Sequence, residues 1–237
     1  MCPKFIIRLT MLWSLTALLI CNPESSIANM LLSQAIVHFT PDDPKRQDIE
    51  VMNVGEEPLY IVVEPYQVQN PGLETESRTK IQNPREAGLL VSPNKMVIPP
   101  GGRKLVRFVK IGVSKENDRV FRILLRPVVG DVYSDKTALK IVIAYEVLVL
   151  MQPELPQPKL IAERKGRILY FENTGNTNIL LREGKQCETD STPPEQCTIL
   201  QGKRLYAKDK WSVELPFDRP VEYYQVIGNK NLAEVYQ

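Results

Sequence analysis

Short runs rich in Val, Ile, Leu, Tyr and Phe recur along the chain from about residue 34, and clusters of Pro, Gly, Asn and Asp separate them. No long segment keeps the 3.6-residue period of an amphipathic helix. Alternation with a period of two, punctuated by turn residues, is the pattern of an all-β sandwich or barrel. The runs fall at residues 34–39, 47–54, 59–68, 88–98, 104–110, 120–128 and 138–151. The turns between them include Pro41-Asp42-Asp43-Pro44, Gly55-Glu56-Glu57-Pro58 and Pro99-Pro100-Gly101-Gly102. That strand number and spacing predict an immunoglobulin-like sandwich.

Pro153, Pro156 and Pro158 then crowd one short stretch. Proline lacks the ladder donor and is pinned in φ, so three in succession cannot lie in a central strand. The stretch reads as a stiff linker. Beyond it the rhythm restarts at residues 167–171, 178–181, 203–206, 211–215, 222–227 and 233–236. The expected organisation is residues 1–28, 29–152 and 153–237: a leader followed by two sandwich domains. The second is small enough that its core alone is marginal.

One run stands apart. Residues 139–151 are long for a strand, and the odd positions Leu139, Ile141, Ile143, Tyr145, Val147 and Val149 put large apolar groups on one face. On pattern alone this is equally an ordinary core strand. A long apolar strand at a sheet edge is an aggregation hazard that proteins usually blunt, and leaving it unblunted suggests a strand meant for a partner.

At the N-terminus Lys4 and Arg8 precede an apolar run at residues 9–20, and Ser26-Ile27-Ala28 supplies a small-x-small cleavage site. This is the layout of a secretory signal. The run is shorter than the roughly 20 apolar residues that span a bilayer, which argues against a retained, membrane-embedded anchor. Ile20 stands where a lipoprotein signal ahead of Cys21 wants a small residue. The mature chain is therefore expected to start near Asn29 in an exported, oxidising compartment, where Cys187 and Cys197 read as a disulfide.

Composition removes several function classes. A formal net charge of +2 lacks the basic excess of a nucleic-acid coat. The single histidine, His38, supports no serine–histidine–acid constellation, there is no Gly-rich phosphate loop, and two cysteines without histidine partners make no zinc site. Neither an enzyme nor a metal or cofactor protein is expected. The remaining contest lies between binding proteins. One keeps the 139–151 strand accessible for a partner, and the other is a secreted two-domain adhesin or surface structural protein that covers it within its own sheet.

The order of features resembles the PapD-like periplasmic chaperones of chaperone–usher pilus systems. Residues 34–39 followed by Asp48-Ile49-Glu50-Val51-Met52-Asn53 are similar to that family's first two strands. Leu90-Val91-Ser92-Pro93, with Ile98-Pro99-Pro100-Gly101, resembles its next conserved stretch, and residues 119–127 resemble its F-x-x-x-x-R-x-x-P segment. Phe171-Glu172-Asn173-Thr174-Gly175-Asn176 resembles the asparagine turn of its second domain. The resemblance implies two immunoglobulin-like domains in a boomerang, a periplasmic location, and pilin subunits and an outer-membrane usher as partners. It further implies donation of Leu139, Ile141 and Ile143, with Tyr145 as a fourth, into a pilin that lacks its last strand. Self-capping as a dimer is one way such a strand is hidden in the free protein.

Departures point to a divergent branch of the alternative or archaic kind. The family grips the pilin's C-terminal carboxylate with an arginine on the first strand and a lysine on the donor strand. Here those positions hold Ile36 or Val37, and Leu148. The linker arginine falls at Gln152 and the acid before the proline–glycine turn at Pro99. A replacement anchor would need a guanidinium, and Arg107, Arg122 and Arg126 lie on strands with apolar neighbours. Otherwise all three are solvated on an outer sheet face. Arg122 is singled out because Phe121, Ile123 and Leu125 would take the core face and place it opposite.

Overall fold

The computed structural model describes residues 29–112, 116–128 and 143–237. The first part of the chain contributes β1 (Met30–Leu32), β2 (Ile36–Phe39), β3 (Arg46–Asn53), β4 (Leu59–Gln69), β5 (Ser77–Lys80), the short helix α1 (Pro84–Ala87), β6 (Leu89–Ser92), β7 (Lys95–Ile98), β8 (Arg103–Lys110), β9 (Arg119–Pro127) and β10 (Tyr145–Met151). One sheet has the order β1-β3-β8-β6. The other runs β2-β10-β9-β4-β5, with β7 also paired to β4. Between them lies a core that includes Val37, Phe39, Ile49, Val51, Phe108, Phe121, Ile123, Leu125, Val147 and Val149.

The run at 88–98, read as one strand, is two. Leu89–Ser92 pairs with β8, and Lys95–Ile98 pairs with β4 in the opposite sheet. Pro93 stands at the crossing, where its missing donor is no loss to either ladder. The strand expected at 138–151 is described from Tyr145 onward. The remainder of that run, and the leader at 1–28, lie outside the described residues.

The second part repeats the plan in smaller form. A sheet of β11 (Leu160–Lys165), β12 (Ile168–Asn173) and β16 (Lys210–Glu214) faces a sheet with the order β14-β13-β17-β18. Those strands are β13 (Ile179–Gln186), β14 (Thr198–Leu200), β17 (Val221–Ile227) and β18 (Lys230–Tyr236), with β15 (Lys203–Leu205) paired to β13. The core is built on Leu169, Phe171, Leu181, Leu205, Val221 and Tyr223, with Trp211 and Tyr236 packed against it. Phe171 touches three rings: Trp211 stacked at 5.6 Å, and Tyr223 and Tyr236 edge-on at 5.6 and 5.1 Å. Burial pushes the Tyr223 and Tyr236 hydroxyls up to about 12. Two immunoglobulin-like sandwiches thus follow one another in the chain, as the strand pattern predicts.

Each sandwich closes one strand in the same way. Asn53 at the end of β3 donates its amide to the Glu57 and Ile98 carbonyls and accepts from the Gly55 N–H. Asn173 at the end of β12 donates to the Thr177 and Leu205 carbonyls and accepts from the Gly175 N–H. Both side chains are fully buried. Satisfying three backbone groups with one amide lets a tight turn sit against the core without orphaned polar atoms.

The expected disulfide is formed. Cys187 and Cys197 lie one step beyond the Gln186–Thr198 pair of the β13–β14 ladder, so the bridge closes the base of the loop that connects the two strands. Reduction is expected to lower the stability of the second sandwich by about 3 kcal/mol, because it restores the freedom of a short closed loop to the unfolded chain. Urea unfolding with and without reductant, followed by fluorescence of Trp211, checks this.

Candidate functional site

The register of the larger sheet of the first sandwich decides which side chains meet the second. Val37, Phe39, Phe121, Ile123, Val147 and Val149 fill the core, so their alternates face outward. One outward row runs His38–Leu150–Val120–Val68 and the next Ile36–Leu148–Arg122–Tyr66. Val68, Val120, Leu148 and Leu150 form a small buried cluster, and Tyr206 of the second sandwich packs against it. The outer face of this sheet is therefore the docking surface for the second sandwich, and β10 runs through its middle.

Polar contacts complete the seam. Gln152 Nε2 donates to Thr177 Oγ1 at 3.0 Å, so the position where the family has its linker arginine is filled by a neutral hydrogen bond. The Asp118 N–H donates to the Asn176 carbonyl, and the Asn178 N–H donates to Asp118 Oδ2 at 2.7 Å. From the second sandwich Arg204 reaches into the same region and donates to Asn178 Oδ1. Burial first, and Arg204 second, hold the His38 imidazole below its ordinary pKa. Burial also raises the Asp118 carboxyl, which its bonds from Asn178 oppose.

The second feature of the site is an open strand edge. On one side β10 pairs with β9 over its whole length, Tyr145 opposite Leu125 through Met151 opposite Arg119. On the other side the parallel pairing with β2 begins only at Leu148, whose N–H donates to the Ala35 carbonyl at 2.9 Å. Backbone groups of alternate residues point to the same edge. Glu146 therefore presents its N–H and C=O where no described strand takes them. Just upstream, Ile143 is 45% exposed.

The sequence-derived residues separate in space. Leu139 and Ile141 lie outside the described residues. Ile143 is exposed, while Tyr145 is partly buried against the first core. Arg122 lies on the outward face at the edge of the seam, on the very row that carries Ile36 and Leu148, with Glu146 at 4.0 Å. Arg126 lies further along that face, 3.5 Å from Glu64. Arg107 is on the opposite sheet, 3.2 Å from Asp48, and is not brought to the seam. Arg204, Asp118 and Asn178 carried no local signal in the sequence. Arg204 merely alternates with the buried Leu205 on a three-residue strand.

Among the described residues no group of three or more His, Cys, Asp and Glu could hold a metal ion, and no helix is long and apolar enough to cross a membrane.

Two such sandwiches in series are also the fold of solved fimbrial chaperones. The class 5 fimbriae chaperone CfaA superposes with a TM-score of 0.60 over 87% of this chain and 98% of its own, at 20% sequence identity. The SafB chaperone, solved with the Salmonella enterica SafA pilin, gives 0.60 over 90% and 97% at 11% identity. In sequence, a CS1 fimbrial subunit of Escherichia coli is 27% identical over 168 residues, 68% of this chain and 68% of that protein. No family model matches the chain.

Proposed function

We propose that the protein is a periplasmic chaperone that binds, folds and caps pilin subunits by lending them the β10 strand, before handing them to an outer-membrane usher. The observation that carries this reading is the edge of β10 upstream of Leu148, which no described strand covers, next to an exposed Ile143. An extended partner strand added there gains main-chain hydrogen bonds from the edge and selectivity from alternate side chains. A secreted adhesin would gain nothing from leaving that edge open, because an unpaired strand edge is an aggregation hazard. The chemistry is one of binding, with no catalytic step. Export with loss of residues 1–28, and the division of the chain at 152/153, belong to the same reading.

The donor positions are Leu139, Ile141 and Ile143, with Tyr145 closing the series where the strand turns into its own core. The partner's terminal carboxylate is held by Arg122. The family's two cationic positions fall at Ile36 or Val37 and at Leu148 here, and Arg122 occupies the cross-strand row of Ile36 and Leu148 one strand further on.

The reading is tested by recovering the mature protein from the periplasm with a small all-β partner bound. Arg122→Ala is expected to weaken that complex roughly a hundredfold. Leaving a carboxylate in a closed cleft without its cation costs about 3 kcal/mol, the low end for a buried pair because Arg122 stays partly in water. Arg107→Ala and Arg126→Ala are expected to bind within about threefold of the parent, as exposed ion pairs contribute at most about 1 kcal/mol. Equal affinity of all four proteins would place the anchor elsewhere.

A further inference from the structure

We infer that Arg204 of the second sandwich completes the anion site begun by Arg122, and that Asp118 and Asn178 are the residues that position it. The inference rests on the strand-donor reading, since it names residues for the site that would hold a partner's C-terminal carboxylate.

Arg204 lies on β15 between core-directed neighbours. Leu205 is fully buried and pairs with Ile179, so Arg204, paired with Leu180, points out of the second sandwich. Out, at this end, means toward the first sandwich, because Tyr206 packs on the cluster of Val68, Val120, Leu148 and Leu150 there. Among the described residues Arg204 has no carboxylate within ion-pair distance, and its one hydrogen-bond acceptor is the neutral Asn178 Oδ1. Burial lowers its proton affinity, Tyr206 and Asp118 pull the other way, and the Arg122 charge adds a smaller push in the same direction as burial. Arg204, with one neutral acceptor, and Arg122, with Glu146 at 4.0 Å, set two guanidinium groups in a partly dry cleft that can take a further anion. A carboxylate fits the planar fork of arginine better than any other common anionic group of a protein.

The orientation of Arg204 is decided from the other side of the seam. Asn178 donates both its backbone N–H and its side-chain amide to Asp118 Oδ2. With Nδ2 committed to Asp118, Oδ1 has to face Arg204. The reversed amide would set Nδ2 against the guanidinium and leave both without an acceptor. Asp118 is held in turn by its own N–H on the Asn176 carbonyl, and its Oδ1 is sealed from water with no partner among the described residues. A carboxylate on the first sandwich therefore fixes an amide on the second, and that amide aims a guanidinium back into the cleft. An anion held by Arg122 and Arg204 together bridges the two sandwiches. Docking of the sandwiches and anion binding then reinforce each other, as linkage requires.

The experiment uses the whole mature chain and two probes, a short synthetic peptide of alternating valine and threonine with a free C-terminal carboxylate and the same peptide amidated. The readout is the ratio of the two affinities by calorimetry, with the melting temperature as a check on folding. The parent is expected to prefer the free acid by about tenfold or more, and Arg204→Ala to bring the ratio within about threefold of unity. Asp118→Ala is expected to reduce the ratio part of the way in the parent, and to change nothing further in the Arg204→Ala background. That non-additivity is the signature of a residue acting through another, and a merely structural role would not produce it. Should Arg204→Ala fail to fold, Arg204→Lys keeps the charge without the fork and is expected to fall between the two. An unchanged ratio in a folded Arg204 variant would overturn the inference and leave strand donation standing. A parent that binds neither peptide would overturn both.

Discussion

On the strand-donor reading, Ile143→Asp is expected to abolish capture of a pilin subunit while leaving the melting temperature of the protein where it was. Ile143 is exposed and lies just ahead of β10, outside the chain's own core cluster. In a partner's groove that side chain would leave water, which contributes about 1.5–3 kcal/mol. An aspartate there would bring an unpaired charge into an apolar trough, a further cost of several kcal/mol. Together these amount to at least about a thousandfold in affinity. The effect should alternate along the strand. Ile141→Asp is expected to behave like Ile143→Asp, and Lys140→Asp, of the other parity, to do far less. Tyr145→Asp provides the contrast, because Tyr145 packs on the first core and its loss should lower the melting temperature directly. Measuring partner binding beside thermal unfolding separates the two modes. A folded Ile143→Asp protein that still protects its subunit would end the donor-strand reading.

Phe171→Ala is expected to cost the second sandwich about 3–5 kcal/mol, the range for deleting a buried aromatic ring. Phe171 is the hub of the small core, with Trp211, Tyr223 and Tyr236 each within ring contact. A sandwich of this size holds only a few kcal/mol in reserve, so the substitution should unfold most of it at room temperature. Of the two tryptophans in the chain, Trp13 and Trp211, the second packs on this core, so a protein prepared without residues 1–28 reports the event through one fluorophore. The first sandwich has its own core and should keep its cooperative transition, visible in far-ultraviolet dichroism at higher denaturant. A single transition shifted as a whole would show instead that the seam couples the two sandwiches into one unit.

Much of this architecture was legible along the chain. Long core strands such as β3, β4, β8 and β9 declare themselves because one face is buried, and burial imposes a period of two. The strands that escaped notice are β1, β5, β11 and β14: β1 and β14 are short, β5 is exposed throughout, and β11 alternates in burial while its residue types run from apolar to charged without alternating. β5 is Ser77-Arg78-Thr79-Lys80, exposed at every position and held by its hydrogen bonds to β4 alone. The run at 88–98 looked continuous because Pro93 breaks a ladder without breaking the apolar pattern.

The amino-acid sequence by itself determined that the chain is all-β, that a proline-rich stretch interrupts it near residue 153, that Cys187 and Cys197 are placed to bridge, and that Arg122 must stand on the face opposite Phe121, Ile123 and Leu125. Each of these follows from local rules: side-chain alternation, the missing donor of proline, and loop length. Only the tertiary structure decided that β2 stops short of covering β10, that Arg122 shares a row with Ile36 and Leu148, and that Arg204, some eighty positions later in the chain, faces the same cleft. Cross-strand register and the docking of one sandwich on another are set by hydrogen-bond pairing and surface fit between segments far apart in sequence, and no local pattern encodes them.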